Sequence, residues 1–405
     1  MRVTERFERY VKIETTSDEN SATVPSTAIQ LDLARVLEAE LKEMGVPKVL
    51  LNEYGIVYGW LPATAGYDHV PPLGLIAHMD TAPDASGKNV QVCYHPNYDG
   101  EDVRLNEHMI LSTKTFPHLK ELKGKTLITT DGTTLLGADD KAGVAEIMTA
   151  VAEIIEENRP HGPLCIAFTP DEEVGCGADH FDVSLFGADY AYTVDGGPEN
   201  EISWENFNAA SADIKIHGVS VHPGEALDVM VNAVLVGCEL NQMLPGGAIP
   251  RHTSGYEGFY HLTEMSGDVS EARMNYIIRD HSKEKFNEKK AKLEAAAAAL
   301  NQKYGQGTVE ISIKDSYYNM REVLNSHMHL VENARKVMEN LGMTPEIIPT
   351  RGGTDGARLS FEGLPCPNLG TGGYAYHGPY EHITVEGLEM GVRVIRGLID
   401  IYAGH

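Results

Sequence analysis

Up to about residue 207, short apolar runs alternate with segments whose apolar residues recur at helical spacing. "PLGLIAHMDT" (72–81), "PLCIAFTP" (163–170) and "ADYAYTVDGG" (188–197) read as buried strands, and "KAGVAEIMTAVAEIIEE" (141–157) as a helix. Strands alternating with helices predict an α/β fold, a mixed, mostly parallel sheet flanked by helices.

Between 208 and 318 the pattern changes. "SADIKIHG" alternates as a half-buried strand, "GEALDVMVNAVLVGCELNQML" (224–244) reads as a helix, and "EGFYHLTEMSG" with "EARMNYIIRD" reads as an antiparallel pair. A long helix from Ser282 to Lys303 and the strand "TVEISIKD" complete a β-α-β-β-α-β order. That order predicts an inserted α+β two-layer domain. The first pattern then returns, with a helix at 326–341, the turn "RGGTDGARLS" (351–360) and a terminal helix at 385–402. The expected organisation is a discontinuous main domain, 1–207 and 319–405, interrupted by an inserted domain, 208–318.

Composition narrows the partners. The chain has 405 residues and a formal net charge of −26. Such acidity argues against nucleic acid and anionic membrane surfaces. The five cysteines, Cys93, Cys165, Cys176, Cys238 and Cys366, are scattered without a CxxC pair. They predict neither a disulfide framework nor a thiolate zinc site, and they fit a reducing cytoplasm. "MRVTERFERYVKIETTS" is a charged amphipathic helix without a signal-peptide core. No apolar run reaches the roughly 20 residues that span a bilayer. The expectation is a soluble cytoplasmic protein.

The chemical residues stand where strands end. His78 and Asp80 close one apolar run, Glu172 and Glu173 follow a second, and Asp195 closes a third. Asp139 and Asp140 precede a helix, and His377 lies in "YAYHGPYEH". Ligand crevices of open α/β sheets lie at the carboxyl ends of strands. Adjacent carboxylates there repel by several kcal/mol at low dielectric, on the order of 332/(εr). A divalent cation reverses that sign. Two imidazoles and several carboxylates, with no thiolate, suit zinc or a similar borderline ion. The donors suffice for two ions about 3.5–4 Å apart that share a bridging carboxylate.

Local geometry divides the labour. Residues 78 and 80 of a strand point to one side, so Asp80 can accept the other ring N–H of His78. Glu172 and Glu173 diverge in extended geometry, so one can ligate while the other takes a proton from water. Neither Glu172 and Glu173, nor Asp139 and Asp140, are separated by this argument. Taken singly, an HxD pair reads as surface polarity and Asp-Asp before a helix as a cap. Recurrence at four strand ends of one domain favours a common site.

"HMDT", "GADDKAG", "TPDEEVG", "TVDGG", "RGGTDG" and "YHGPYEH" together resemble the co-catalytic zinc exopeptidase family, which includes glutamate carboxypeptidases and aminoacylases. The longer strings "TLLGADDKAG", "AFTPDEEVG", "NFNAAS", "EGFYHL", "DSYYNMRE" and "GGTDGA" resemble its tripeptide-cleaving aminopeptidase branch, in order along the whole chain. The resemblance implies that His78, Asp139, Glu173, Asp195 and His377 ligate two zinc ions per subunit, other divalent ions being admissible, with Asp139 as the bridge. It implies that Asp80 supports the ligands and that Glu172 is the general base. The inserted domain would be a lid whose exposed edge admits a homodimer. His222, Asn232, Arg279 and Arg351 would meet the substrate, the arginines by forking onto its carboxylate.

The implied activity is metal-dependent release of the N-terminal residue from tripeptides, by water activated between two zinc ions and a glutamate. The alternatives are another amide hydrolase of the family, a dipeptidase or an N-acyl amino acid deacylase, and a non-catalytic peptide-binding protein. The polar segment 84–125 holds three further histidines, His95, His108 and His118, which read as surface residues.

Overall fold

The computed structural model describes residues 1–404, which form two compact units. The first comprises Met1–Trp204, Glu322–Ile348 and the chain from Thr354 on; the second comprises Glu205–Arg321 and Pro349–Gly353. Pro349–Gly353 belongs to the second unit. Thr350 N donates to Glu205 O at 2.8 Å, and Arg351 reaches the carbonyls of Gly255 and Glu257 at 2.6 and 2.9 Å.

The first unit is built on an eight-stranded mixed sheet. Its order is Lys48–Leu51, Val57–Leu61, Leu164–Thr169, Leu73–His78, Tyr190–Gly196, Asn368–Gly370, Glu201–Ser203, Glu346–Ile347. The four central strands, from Leu164–Thr169 to Asn368–Gly370, are parallel. Leu73–His78 and Leu164–Thr169 are buried at every position. Strands covered on both faces need continuous apolar runs, which is why "LGLIAH" and "LCIAFT" do not alternate. The helix Ala138–Glu156 packs on this sheet and against the helices Val3–Val11 and Val385–Ala403. A smaller sheet, Gly373–Tyr374, His382–Thr384, Leu127–Thr129 and Cys93–His95, carries the hairpin that holds His377.

The second unit is an antiparallel sheet in the order Phe259–Gly267, Glu271–Asp280, Asn208–His217, Val309–Tyr317. The helices Ala233–Met243 and Lys283–Tyr304 pack on it, so Ala272, Met274, Tyr276 and Ile278 are buried while the residues between them are not. The helix expected over 224–244 is shorter. A 3-10 turn takes Pro223–Glu225, Asp228 has φ +60°, and the helix starts only where Asn232 Oδ1 accepts from Leu235 N at 3.2 Å. Asn232 is thus a helix cap.

Candidate metal centre

Three parallel strands deliver their ends to one place. His78 is the last residue of Leu73–His78, Asp195 is the penultimate residue of Tyr190–Gly196, and Glu172–Glu173 follow Leu164–Thr169 by three residues. Asp139 sits at the start of Ala138–Glu156, where it and Asp140 have non-helical dihedrals. His377 sits at the tip of the hairpin between Gly373–Tyr374 and His382–Thr384.

The five expected ligands converge. Asp139 Oδ1 lies 2.8 Å from His78 Nε2, and its Oδ2 lies 3.4 Å from His377 Nε2. One carboxylate therefore turns an oxygen towards each imidazole. Asp195 Oδ1 is 3.5 Å from His78 Nε2, and Glu173 Oε2 is 3.0 Å from His377 Nε2. Asp140 also has an oxygen within 4.8 Å of donors of His78 and Asp195. Its oxygens are engaged otherwise: Oδ2 accepts from His78 N at 3.1 Å and Oδ1 from Gly143 N at 3.2 Å. Asp140 thus holds backbone, while Asp139 faces the rings.

Asp80 is fully buried and works in two directions. His78 Nδ1 stands 3.2 Å from its Oδ1 and 3.1 Å from its carbonyl, both acceptors, so Nδ1 carries the hydrogen and Nε2 is left for a ligand. The same carboxylate accepts from Glu172 N at 3.0 Å and Glu173 N at 3.1 Å. The first acid of the triplet, Asp171, turns away and accepts from Ser26 N, Ser26 Oγ and Gln30 Nε2 at 2.5–2.7 Å.

The electrostatics call for cations at two points. Burial lowers the His78 pKa, but Asp195, Asp139 and Asp80 overcome it and hold the ring well above its ordinary range. Hydrogen bonds accepted by Asp139 and Glu173 raise His377 to about 11. Burial and then Asp139 push Glu173 up to about 7. Burial, and then the charge of Asp195, push Glu172 well above the carboxylate range. Glu173 Oε1 is buried and has no hydrogen-bond partner among the described residues. An orphaned carboxylate oxygen beside imidazole and carboxylate donors fits a divalent ion.

The remaining expected residues lie in the second unit. His222 is exposed, and its Nδ1 accepts from Gly224 N at 3.1 Å. Arg279 donates to the carbonyls of Ala210 and Ile278 at 3.2 and 3.0 Å and lies over the Tyr317 ring. Arg351 lies over Phe207 and Phe259, with its terminal nitrogens on backbone 253–257.

Sequence reasoning missed several residues. Asp355, in "RGGTDG", is buried, accepts from Thr169 Oγ1 at 2.9 Å, and is pushed by burial to about 7. Glu381, in "YHGPYEH", is buried against the backbone that carries Asp139. Both sat inside strings that had been singled out, but their spacing carried no ligand signature. His95 and His118 were read as surface residues, yet both are half-buried. His118 stacks on Tyr374 at 4.4 Å and shares a 2.9 Å bond with His382; only His108 is exposed.

A mixed α/β sheet that gathers two imidazoles and several carboxylates at its strand ends defines a metallopeptidase class. The profile of peptidase family M20/M25/M40 matches residues 130–401, and the chain belongs to that family. It is 55% identical over 406 residues to Peptidase T of Caldanaerobacter subterraneus subsp. tengcongensis, covering 99% of this chain and 98% of the relative. Among solved structures it resembles aminopeptidase PepT of Bacillus cereus, with TM-score 0.80 and 24% identity over 100% of this chain and 98% of that one. It also shares its fold with a Bacillus subtilis protein described as a dinuclear metal binding peptidase of family M20, with TM-score 0.66 and 14% identity over 98% and 97% of the two chains.

Proposed function

We propose that the chain is a metal-dependent aminopeptidase that releases the N-terminal residue from tripeptides. The observation that carries this is Asp139, whose two oxygens face His78 and His377 within a full-length likeness to Peptidase T. His78, Asp139 and Asp195 would hold one divalent ion, and Asp139, Glu173 and His377 a second; zinc suits the donor set. When bound, such a pair acidifies water and polarises the scissile carbonyl.

Glu172 takes a proton from the attacking water as its oxygen bonds to the carbonyl carbon. Glu172 then delivers that proton to the amide nitrogen as the C–N bond breaks. Asp80 keeps the base in place by holding the N–H groups of both glutamates. His222, whose Nδ1 already accepts a bond, presents Nε2–H as a donor to the carbonyl oxygen. Asn232, besides its cap, is assigned to the substrate.

Arg279 and Arg351 are assigned to the substrate carboxylate. Both now hold neutral carbonyls, which a charge-assisted bond to carboxylate outcompetes. In this reading 1–207 with 319–405 is the catalytic domain and 208–318 a lid. The outer edges of Phe259–Gly267 and Val309–Tyr317, which have no further strand beside them, would serve a homodimer. Among the described residues no helix is long and apolar enough to cross a membrane, and a cytoplasmic location is proposed.

The test is a panel of di-, tri- and tetrapeptides and N-acetyl amino acids, run with chelator and with zinc added back. Cleavage confined to free-amine tripeptides supports the reading. Preference for blocked amines or dipeptides replaces it with a deacylase or a dipeptidase, and binding without turnover with a peptide-binding protein.

A further inference from the structure

Three carboxylates and two imidazoles make up the proposed ligand set, but they are not equally well anchored. His78 ends a fully buried central strand and is steadied by Asp80; Asp195 lies in another central strand. His377 has weaker support: it is exposed, and Asp84 Oδ2 stands 3.7 Å from its Nδ1. It sits at a hairpin tip whose flanking strands are only two and three residues long. It has φ +64°, and Ala375 has φ +56°. Non-glycine residues avoid the left-handed region unless the surroundings impose it. Something must therefore hold this tip against its local preference.

Glu381 is four residues beyond His377 and is 1% exposed. Its Oε2 accepts from Leu136 N at 2.6 Å and from Gly137 N at 2.8 Å, and its Oε1 accepts from Asp139 N at 3.0 Å. All three donors belong to the turn that opens the helix Ala138–Glu156. That end of a helix presents unpaired N–H groups and favours negative charge. One carboxylate therefore ties the hairpin of His377 to the backbone of Asp139, the residue that faces both imidazoles. No other described side chain accepts from these three N–H groups.

We infer that Glu381 is a positioning residue that sets the distance between His377 and Asp139, and so controls occupancy of the His377–Glu173 ion position separately from the His78–Asp195 position. The inference rests on the two-ion reading above. Without the clasp, three N–H groups lose their acceptor and the hairpin tip relaxes towards ordinary dihedrals. His377 then departs from Asp139 Oδ2 and Glu173 Oε2. His78 and Asp195, carried by the sheet and by Asp80, stay where they are.

Glu381→Gln tests this, because it preserves volume but turns an N–H₂ towards backbone donors. Metal-stripped wild type and variant are titrated with Zn²⁺ by calorimetry and with Co²⁺ by visible absorption, and circular dichroism verifies the fold. Wild type is expected to take two ions. The variant is expected to take the first with unchanged affinity and the second about 10–100-fold more weakly, the range for lost support of a ligand. The Co²⁺ bands of the second ion should be lost at equal concentration.

Two ions bound as tightly as in wild type would overturn the inference. So would equal weakening of both positions, or a lowered melting temperature of the metal-free chain with ion binding intact. A wild type that takes fewer than two ions would instead overturn the two-ion reading beneath it. Should the glutamine chain fail to fold, Glu381→Asp carries the same titration, since it keeps the charge but withdraws it by one methylene.

Discussion

Glu146 lies inside the first unit, where no chemistry has been assigned to it. It is fully buried on the helix Ala138–Glu156, and neither carboxyl oxygen has a hydrogen-bond partner among the described residues. A Cβ on Gly391 of the terminal helix would stand 2.2 Å from its Oε2, so the side chain fits only because that residue is glycine. Burial, and then the charge of Glu199, hold its pKa well above the ordinary carboxylate range. The folded chain thus keeps a proton that the unfolded chain gives up near pH 4.3. Stability from this group is therefore fully present below about pH 4.3 and declines as pH rises towards the folded pKa.

Each pH unit between the unfolded and the folded pKa costs up to about 1.4 kcal/mol. Glu146→Gln has the same shape and no proton to lose. Urea unfolding followed by circular dichroism at pH 4, 5, 6 and 7 should show near-equal stability at pH 4. The variant should gain on the wild type as pH rises above that, by up to about 1.4 kcal/mol per unit. Protonation of the metal ligands is common to both proteins and cancels in the difference. A pH-independent offset, or a variant less stable at pH 7, would refute the reasoning by showing that Glu146 is ionised and satisfied.

Four other outcomes follow from the site. Glu172→Gln should lower kcat by about 10²–10⁴-fold, while mass spectrometry of the native protein still finds both ions. Asp80→Ala should weaken metal uptake by roughly 10–100-fold, and the loss should show in calorimetry before any assay of turnover. Metal binding should strengthen as pH rises, because His377 is held at about 11 and His78 well above its ordinary range, and each ion must displace a proton; titration in buffers of different ionisation enthalpy measures that release. Arg351→Ala should raise KM more than it lowers kcat if the guanidinium binds substrate, whereas a purely scaffolding role on backbone 253–257 predicts a lower melting temperature with KM unchanged.

What the sequence made legible follows from periodicity, and what it hid follows from where periodicity stops. The parallel core was readable because strands buried on both faces must be apolar throughout, as in "LGLIAH" and "LCIAFT". Alternation by two placed His78 and Asp80 on one side, and the ring stands 3.2 Å from that carboxylate. No pattern separated Asp139 from Asp140. That distinction depends on which one the backbone of His78 and Gly143 consumes. The helix over 224–244 was overextended because apolar spacing continued through residues that a positive φ at Asp228 and a cap at Asn232 remove from it. His118 looked like surface because a polar loop carries no periodicity, and its stack on Tyr374 joins residues 256 positions apart in the chain, 118 and 374. Glu381 was quoted within a motif, but a carboxylate that accepts only from backbone leaves no side-chain partner to find.

The triplet Asp171-Glu172-Glu173 shows how the fold tolerates charges the chain crowds together. Asp171, at φ +60°, turns its carboxylate to Ser26 and Gln30, whose uncharged donors satisfy it by hydrogen bonds. Glu173 turns to His377, at 3.0 Å. Glu172 is half-buried, with no ion pair among the described residues, and burial and then the charge of Asp195 raise its pKa. Asp171 and Glu173 thus face different elements, and the backbone N–H groups of all three acids are fixed by Asp80 and Gln30. Repulsion that would unfold a simple acidic loop instead divides the labour. Because Asp80 holds the N–H groups of both glutamates and the Nδ1 of His78, these three residues cannot drift independently, and with the roles proposed for them a change at this one buried carboxylate should disturb metal affinity and proton transfer together.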